Sequence, residues 1–362
     1  MNIIYVAGES SDFVLNLCNK FCEKGHNVTC VVQNEDSYDR DEPVVEHKNL
    51  TRIDVSYSVL FSGKGLVEQL KDVISNTKTD IIFGSHAPMA PLIQYLANLY
   101  KIPWGIMILD IPSDLMYAQR KRMKQWLLWF DTMKMADAII FNTNIARDEY
   151  DRFTGQWFNE AYVIPYAINT PEKFDMSGVD IKGDYVISVC RLTYQKNCSI
   201  IPKALSLLNM PKKYIAIGKV SHPPELEEIK KICKENDIEF EHHEMITETK
   251  KFELIRDSAM VIYPQESEYI GGLNPFEGMF CGKSVIANDY KVLRDLYTDY
   301  AIYFNNTPED LATKIAYVYN KKITTPRHNL KMELARRWVD ETATFDKMAE
   351  GMLNIFEKIR RK

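Results

Sequence analysis

The segment that decides the fold is the stretch of residues 263–287, which reads YPQESEYIGGLNPFEGMFCGKSVIA. An apolar run leads into it and predicts a buried strand, and a helix is predicted to begin near Pro275 with Glu277 in its first turn. Gly271 and Gly272 would let backbone N–H groups approach an anion closely, and the helix dipole favours negative charge there. The Glu277 carboxylate is placed to accept hydrogen bonds from vicinal ribose hydroxyls. Taken alone, the segment fits a capping glutamate beside a pair of turn glycines equally well.

Strands and helices alternate on both sides of this segment. Short β-branched runs predict strands, and longer stretches with apolar residues at helical spacing predict helices. The predicted strands are 3–7, 28–32, 81–83, 104–109, 138–141, 163–164, 186–189, 214–217, one near Phe240, 260–263 and 284–287. The predicted helices are 13–24, 91–100, about 115–135, 197–208, 224–235, 249–256, the one near Pro275 and a tail helix over about 328–362. This alternation predicts parallel sheets that are covered by helices on both faces.

The chain is predicted to form two domains. Its 362 residues correspond to roughly two domains at about 150 residues each. The segment 166–184 is rich in Pro, Gly and Asp, has little periodicity and is predicted to be a linker. We therefore expect Rossmann-like domains over residues 1–168 and 169–339, with a terminal helix of about 340–362 packing back on the first. The site is expected in the cleft between them, at the carboxyl ends of the strands.

The amino-acid composition and the net charge argue against several classes of protein. Hydrophobic residues make up 46% and charged residues 26%, which is the balance of an ordinary globular protein. The 45 Lys+Arg and 50 Asp+Glu residues give a net charge of −5, which argues against a dedicated nucleic-acid-binding protein. No apolar run is long enough to predict a transmembrane helix, and the start MNIIYVAGESSD lacks the basic region of a signal peptide. The seven cysteines are odd in number and form no CxxC pair, which is typical of a reducing compartment. We therefore expect a cytoplasmic protein.

A second motif, RLTYQKN at residues 191–197, follows a predicted strand directly. Its two cations, Arg191 and Lys196, lie five positions apart around a loop that opens a helix. Arginine can bind two oxygens of a diphosphate at once, and lysine supplies a compact charge. An exposed basic loop is the alternative, and for this motif alone it is the commoner one.

The motifs together resemble the retaining nucleotide-sugar glycosyltransferases of family 4, which have the GT-B fold. They run in order along nearly the whole chain: GHNVT at 25–29, TDII at 79–82, ADAI at 136–139, VIPYAIN at 163–169, RLTYQKN at 191–197 and GLNPFEGMFCGKSV at 272–285. The resemblance implies an α/β fold of two Rossmann-like parallel-sheet domains that face a cleft. It further implies that the domain over 1–168 lies on the acceptor side and that the domain over 169–339 binds the nucleotide sugar.

The resemblance also implies roles for individual residues. Arg191 and Lys196 would neutralise the donor diphosphate as it leaves, and Glu277 would hold the ribose hydroxyls. The other residues that it places around the nucleotide sugar are Gly218, Gly271, Gly272 and Leu273. Because such an enzyme stabilises the leaving group with these side chains and amides, neither a cofactor nor a metal is expected.

The sequence departs from the family at the residue that contacts the donor sugar. The family places a glutamate eight residues before the second one, and that position is Tyr269 here. Glu268 lies one residue earlier, and a one-residue insertion in the loop would restore it to the catalytic site. We therefore include Glu268 among the candidate catalytic residues.

Two candidate catalytic residues come from the first domain. The family's histidine before an aspartate is replaced by Leu109, so that Asp110 alone remains to orient the acceptor, with a strand-end cap as the alternative. His86 follows another predicted strand and would hydrogen-bond the sugar or the acceptor, with packing inside a loop as the alternative.

The segment Arg120–Phe130 has four cations in its first turns and two tryptophans and a phenylalanine after them, which predicts contact with an anionic membrane surface and suits a lipid-linked acceptor. A helix that buries its aromatic face is the plainer interpretation.

Two other patterns, Asp39-Arg40-Asp41 and His242-His243, do not predict a metal site. The first lies in a charged loop, and neighbouring residues of a strand, such as the two histidines, point to opposite sides.

The sequence thus predicts a retaining hexosyltransferase that uses a UDP- or GDP-linked sugar and a hydroxyl of a glycan or lipid-linked acceptor. Two alternatives remain open. One is a nucleotide-sugar epimerase or hydrolase on the same fold, and the other is a sugar-nucleotide-binding protein without catalytic activity. The altered first glutamate, the missing histidine and the single glycine, Gly8, where the family often has a pair motivate the second alternative.

Overall fold

The computed structural model describes most of the 362-residue chain, and the architecture below refers to that part. The described residues are 1–7, 12–33, 44–56, 65–109, 123–155, 160–170, 183–209, 212–265, 272–322 and 326–361. The chain divides into two compact units. One comprises Met1–Ala167 with Thr344–Lys362, and the other comprises Ile168–Ala343.

The first unit is built on a parallel sheet of seven strands in the order β3-β2-β1-β4-β5-β6-β7. The strands are β1 Asn2–Val6, β2 Asn27–Gln33, β3 Leu50–Val55, β4 Ile81–Ser85, β5 Trp104–Ile108, β6 Ala138–Phe141 and β7 Ala161–Val163. Strands β4, β5 and β6 are buried along their whole length, as expected of central parallel strands that helices cover on both faces.

Six helices belong to the first unit in the described part of the chain. They are α1 Asp12–Glu23, α2 Leu66–Thr77, α3 Ala90–Tyr100, α4 Met123–Met133, α5 Asn144–Thr154 and the terminal helix Phe345–Arg360. The terminal helix packs on α1 and on the sheet through Phe356, whose ring centroid lies 5.8 Å from that of Phe21 and 4.9 Å from that of Phe83. None of the described helices of the chain combines the length and apolar character needed to cross a bilayer.

The second unit contains a parallel sheet of six strands in the order β10-β9-β8-β11-β12-β13. The strands are β8 Val186–Val189, β9 Lys213–Ile217, β10 Glu239–His243, β11 Met260–Tyr263, β12 Ser284–Asn288 and β13 Ile302–Phe304. The helices described here are α6 Ile200–Ser206, α7 Pro223–Glu235, α8 Glu248–Asp257, α9 Asn274–Phe280, α10 Lys291–Tyr297, α11 Pro308–Lys322 and α12 Pro326–Thr342; in this numbering the terminal helix is α13. The predicted class of two Rossmann-like parallel-sheet domains is therefore confirmed.

The strand order reverses once in each sheet. The reversal lies between β1 and β4 in the first unit and between β8 and β11 in the second. At such a point the connections after the two strands run to opposite faces of the sheet, which leaves a crevice at the carboxyl ends where ligands bind. All seven cysteines are free thiols and buried.

The tail that was predicted to be helical over about 328–362 is helical on both sides of one break. The tail forms two helices, α12 and α13, which belong to different units. The break falls at Ala343 and Thr344, where the Ala343 carbonyl accepts a hydrogen bond from the Ile168 N–H at 3.0 Å. Thr344 has extended backbone, and its side chain accepts from the Lys347 N–H, so that it caps the start of α13.

Candidate active site

The candidate active site of the second unit lies where its strand order reverses. The neighbouring strands β8 and β11 pair in parallel, with Met260 opposite Val186 and Val261 opposite Ile187. Their carboxyl ends therefore emerge side by side. The loop after β8 carries the predicted diphosphate cations, and the segment after β11 leads to α9 and Glu277.

The backbone around Arg191 is held firmly, whereas its side chain is exposed. The Cys190 N–H donates to the Ile217 carbonyl at 2.9 Å, and the Leu192 N–H donates to the Lys219 carbonyl at 2.9 Å. Leu192 is fully buried between these anchors. The Arg191 guanidinium makes no hydrogen bond or ion pair to any described residue, and it is therefore available to an anionic ligand.

Gly218 lets the loops after β8 and β9 approach each other. Its φ is 142°, and a Cβ at this position would lie 2.2 Å from the Cys190 carbonyl oxygen, so a larger residue does not fit. Its N–H donates to the His243 carbonyl at 2.9 Å, and its own carbonyl is 2.9 Å from the His242 Nε2. The structure thus explains Gly218 by packing next to Arg191, and direct contact with a nucleotide sugar stays a prediction.

Lys196 is held at the end of β11 by two side chains that the sequence analysis did not identify. Its Nζ donates to the Tyr263 hydroxyl at 3.0 Å and to Gln265 Oε1 at 2.5 Å. Both partners are buried and uncharged, since burial raises the pKa of the Tyr263 phenol although Lys196 opposes the rise. A lysine ammonium has three N–H groups, so one remains for a phosphate oxygen.

The Tyr263 hydroxyl joins Lys196 to the glycine segment of the sequence motif. It donates to Gln265 and accepts from the Gly272 N–H at 2.8 Å. The Gly272 carbonyl in turn accepts from the Tyr297 hydroxyl at 2.6 Å, and a Cβ on Gly272 would lie 2.7 Å from the Tyr263 oxygen. The amide that was predicted to contact an anion therefore already has an acceptor. A ligand would have to replace the Tyr263 hydroxyl as the acceptor of the Gly272 N–H.

Glu277 lies in the first turn of α9, as predicted, but it is buried and paired with a cation. It is 4% exposed, and its Oε1 accepts from Lys251 Nζ at 2.8 Å. Its Oε2 is buried and has no hydrogen-bond partner among the described residues. Burial raises the pKa of the Glu277 carboxyl, and the Lys251 ammonium opposes that rise. Leu273 directly precedes α9, while Glu268 and Gly271 lie outside the described residues.

In the first unit, His86 directly follows β4 at the reversal of strand order. Its φ of 70° is in the left-handed region, which is uncommon for a residue other than glycine and tends to occur at functional sites. Its N–H donates to the Met107 carbonyl at 3.0 Å, and its carbonyl accepts from the Met89 N–H at 3.0 Å, so the neighbouring strand and turn hold this conformation. Asp110 lies outside the described residues.

The aromatic residues of α4 follow the plainer of the two sequence interpretations. Trp126 and Phe130 are buried, with 4% and 2% of their surfaces exposed. The exposed residues of the helix include Leu127 and Leu128, at 48% and 60%. The basic residues 120–122 lie outside the described part of the chain, but Lys124 is described and exposed.

The described residues contain no group of three or more His, Cys, Asp and Glu side chains arranged to hold a metal ion. The two adjacent histidines of β10 have different partners. His242 contacts Gly218, and His243 Nε2 lies 3.5 Å from Glu241 Oε2. They do not converge on one point, as their neighbouring positions in a strand predict.

Two family models together match nearly the whole length of the sequence. A model described as Glycosyltransferase Family 4 matches residues 11–172, and one described as Glycosyl transferases group 1 matches residues 169–340. The chain belongs to the GT-B glycosyltransferases of the family 4 type. It is therefore a glycosyltransferase enzyme. A search of curated proteins found no match.

Solved structures share the fold at low sequence identity. Sucrose-phosphate synthase from Thermosynechococcus elongatus superposes with a TM-score of 0.79 at 15% identity, covering 99% of both chains. Anabaena HepE in complex with UDP superposes with a TM-score of 0.74 at 14% identity, covering 99% of this chain and 100% of that one. A UDP-forming α,α-trehalose-phosphate synthase from Burkholderia xenovorans gives 0.71 at 13% identity, with 99% of both chains covered.

Replacing Tyr263 by phenylalanine tests its role in joining Lys196 to Gly272. Tyr263→Phe removes the oxygen that accepts from both donors, and we expect the free energy of unfolding to fall by about 1–2 kcal/mol because the Gly272 N–H loses its acceptor. Urea unfolding measures this change. Tyr194→Phe is the matched control. Because Tyr194 is 65% exposed, the free energy of unfolding of this variant should equal that of the wild type. Equal stability of Tyr263→Phe and the wild type would contradict the assigned role.

Proposed function

We propose that this glycosyltransferase moves a hexose from a UDP- or GDP-linked sugar to a hydroxyl of a glycan or lipid-linked acceptor, with retention of configuration. In this proposal the second unit binds the donor and the first unit binds the acceptor. The observation that carries it is the pair of cations beside the reversal of strand order. Arg191 is exposed without a described partner, and Lys196 keeps one N–H in reserve.

The proposed chemistry requires charge stabilisation more than covalent catalysis. When the bond between the sugar and the diphosphate breaks, negative charge develops on the leaving oxygen, and Arg191 and Lys196 would stabilise it. The acceptor hydroxyl would attack from the face on which the diphosphate leaves, and the leaving phosphate would take its proton. The protein then contributes mainly the position of the two substrates. No step in this proposal uses a metal or another cofactor.

The choice of nucleotide is proposed from the site and from structures of the same fold. Glu277, buried in the first turn of α9, would accept from ribose hydroxyls, which UDP- and GDP-linked sugars both carry. Anabaena HepE has been crystallised in complex with UDP and with UDP-glucose. A uridine diphosphate sugar is therefore the first donor to test, and a guanosine diphosphate sugar is the second.

His86, Asp110 and Glu268 remain proposed contacts of the transferred sugar or the acceptor. For His86, the support is its left-handed backbone at the end of a central strand, which the Met107 carbonyl helps to hold. Such a conformation costs free energy and persists where the surrounding structure enforces it. For Asp110 and Glu268, the support is the sequence resemblance alone.

Contact with an anionic membrane surface is the second part of the proposal and would place a cytoplasmic enzyme beside a lipid-linked acceptor. The supporting observation is that α4 exposes Leu127 and Leu128 next to the exposed Lys124. Apolar side chains that enter the interface and cations that meet anionic headgroups together give peripheral binding.

The donor site is tested by thermal unfolding with UDP, GDP, ADP and their sugar conjugates. A nucleotide at 100 times its dissociation constant stabilises a protein by about 2.7 kcal/mol. We expect one nucleotide to stabilise the wild type and to lose this effect in Arg191→Ala, because the variant lacks a diphosphate cation. Arg337→Ala is the control, since this exposed arginine of α12 pairs only at the surface with Glu333.

Turnover separates the proposed reaction from the alternatives. Release of nucleoside diphosphate should depend on an acceptor, and Arg191→Ala should slow it about 100-fold, which corresponds to about 3 kcal/mol of lost stabilisation. The anomeric configuration of the product, read by NMR, should equal that of the donor. Conversion of the donor without an acceptor would indicate an epimerase or hydrolase, and an inverted product would contradict retention.

Membrane contact is tested by co-sedimentation with vesicles of phosphatidylglycerol and phosphatidylcholine. The wild type should sediment with anionic vesicles at low salt, and a variant with Leu127→Ser and Leu128→Ser should do so at least several-fold less, since both exposed apolar side chains are lost. Leu207→Ser, which alters a leucine of the second unit that is 55% exposed, is the matched control. Absence of wild-type protein from the pellet would contradict this part of the proposal.

A further inference from the structure

The buried ion pair between Lys251 and Glu277 is a feature of the site that the sequence motifs did not predict. Lys251 belongs to α8 and Glu277 to α9, and the two residues lie on either side of strand β11 in the chain. The Lys251 side chain is 13% exposed and that of Glu277 is 5% exposed, and Nζ and Oε1 are 2.8 Å apart. Most lysines of the chain's described ion pairs are more exposed than this one, so its burial calls for an explanation.

The pair leaves one carboxylate oxygen of Glu277 unused. Lys251 also binds Glu248 at 2.7 Å, so two carboxylates share its ammonium. Burial acts to lower the pKa of Lys251, but the charges of Glu277 and Glu248 outweigh it and raise that pKa, so the lysine stays charged. Glu277 Oε1 has its donor, whereas Oε2 is buried and no residue in the described part of the chain donates to it. Buried polar atoms are nearly always paired, and this oxygen belongs to the first turn of α9, where the sequence motif predicts the ribose, so a ligand hydroxyl would supply the missing donor.

The other charged groups around α9 do not replace Lys251. On α12, the Arg336 guanidinium carbon lies 5.9 Å from the centre of the Phe280 ring, at the far end of the helix. The Cys281 thiol after α9 is buried, and burial raises its pKa, so it carries no charge. Glu248 on α8 is a second negative charge and opposes ionisation of Glu277. Among the described residues, Lys251 is therefore the cation that opposes the rise in the pKa of Glu277 and favours its ionised form.

A neutral Glu277 would bind a ribose poorly. The protonated acid carries a hydrogen on one oxygen and is a weaker acceptor than the carboxylate, whereas hydrogen bonds to a charged acceptor are about twice as strong as those between neutral groups. In an apolar pocket without a cation, a carboxyl stays protonated to a pH several units above its ordinary pKa. The cation beside Glu277 thus decides whether the site offers a charged acceptor near neutral pH.

We propose that Lys251 is a positioning residue for the donor nucleotide, holding Oε1 of an ionised Glu277 so that Oε2 accepts from a ribose hydroxyl. This inference rests on the proposed function, since it presupposes that the second unit binds a nucleoside diphosphate. It adds a residue outside the sequence motifs to the recognition of the ribose. In this proposal, the affinity for the ribose depends on the charge of Lys251, which lies on α8, whereas Glu277 lies on α9.

The test compares affinities for UDP and GDP with those for their 2′,3′-dideoxy counterparts by isothermal titration calorimetry. The wild type should bind the ribonucleotide at least about tenfold more tightly, because the dideoxy compound leaves Glu277 Oε2 without a donor. In Lys251→Met this preference should fall to about twofold or less at pH 7. Lys250→Met is the matched control, since the neighbouring lysine is exposed and pairs with Glu253 at the surface, and it should keep the wild-type preference.

The dependence on pH distinguishes a positioning role from a purely structural one. Glu277 binds ribose only when it is ionised, so affinity for the ribonucleotide is lost as the pH falls through the pKa of this carboxyl. Removal of the Lys251 charge raises that pKa further, and the loss in Lys251→Met should therefore occur at least about one pH unit higher than in the wild type. Lys251→Arg keeps the charge and should restore the wild-type profile.

Each outcome bears on one of the two proposals. Binding of neither UDP nor GDP to the wild type would overturn the proposed function. Binding with an unchanged ribose preference in Lys251→Met would overturn the role of Lys251 and leave the proposed function intact. If Lys251→Met does not fold, as judged by circular dichroism, Lys251→Gln replaces it, since its amide still donates to Glu277 without a charge. An unchanged ribose preference and pH profile in Lys251→Gln would likewise overturn the inference.

Discussion

The parallel pairing of β8 with β11 is the constraint on which the candidate site depends. Residues separated by some seventy positions in the sequence are brought side by side, with Val261 opposite Ile187. The loop after β8 then delivers Arg191 and Lys196 to the edge where the segment after β11 delivers Gly272 and α9. At such a reversal of strand order, ligands of parallel α/β sheets bind at the carboxyl ends of the strands. The sheet thus determines where the candidate site lies, and the segments after its strands carry the residues of that site.

Buried hydrogen bonds and an ion pair hold the side chains of this site in fixed positions. The Tyr263 hydroxyl accepts from both Lys196 and Gly272, and Gln265 accepts from Lys196 as well. Between α8 and α9, the ammonium of Lys251 satisfies one oxygen of Glu277. In a low-dielectric environment each of these contacts is strong, and each partner left alone would be costly. The arrangement therefore holds donors and acceptors in place before any ligand arrives, which is what transition-state stabilisation requires.

The sequence predicted the fold class and the donor-side candidates, because these depend on local patterns. Apolar runs marked the central strands, and the basic loop at Arg191 and the helix start at Glu277 were recognisable from spacing. It did not predict β3, whose Arg52 and Asp54 make an edge strand resemble a loop. Nor did it predict the partners of Lys196 and Glu277, since a contact between Lys196 and Gln265 spans 69 positions and leaves no local pattern. The break between α12 and α13 was missed for the same reason, because the contact of Ile168 with Ala343 is not visible in either segment.

The claim that the reversal of strand order in the second unit binds a diphosphate is tested most directly by a ligand series. The dissociation constants of uridine monophosphate and diphosphate, and of the two guanosine equivalents, would be measured calorimetrically on the wild type. One added phosphate that meets Arg191 and Lys196 should tighten binding at least about tenfold, since each charge-assisted contact contributes about 1.5–3 kcal/mol. Equal affinity for the monophosphate and the diphosphate of both bases would contradict the account.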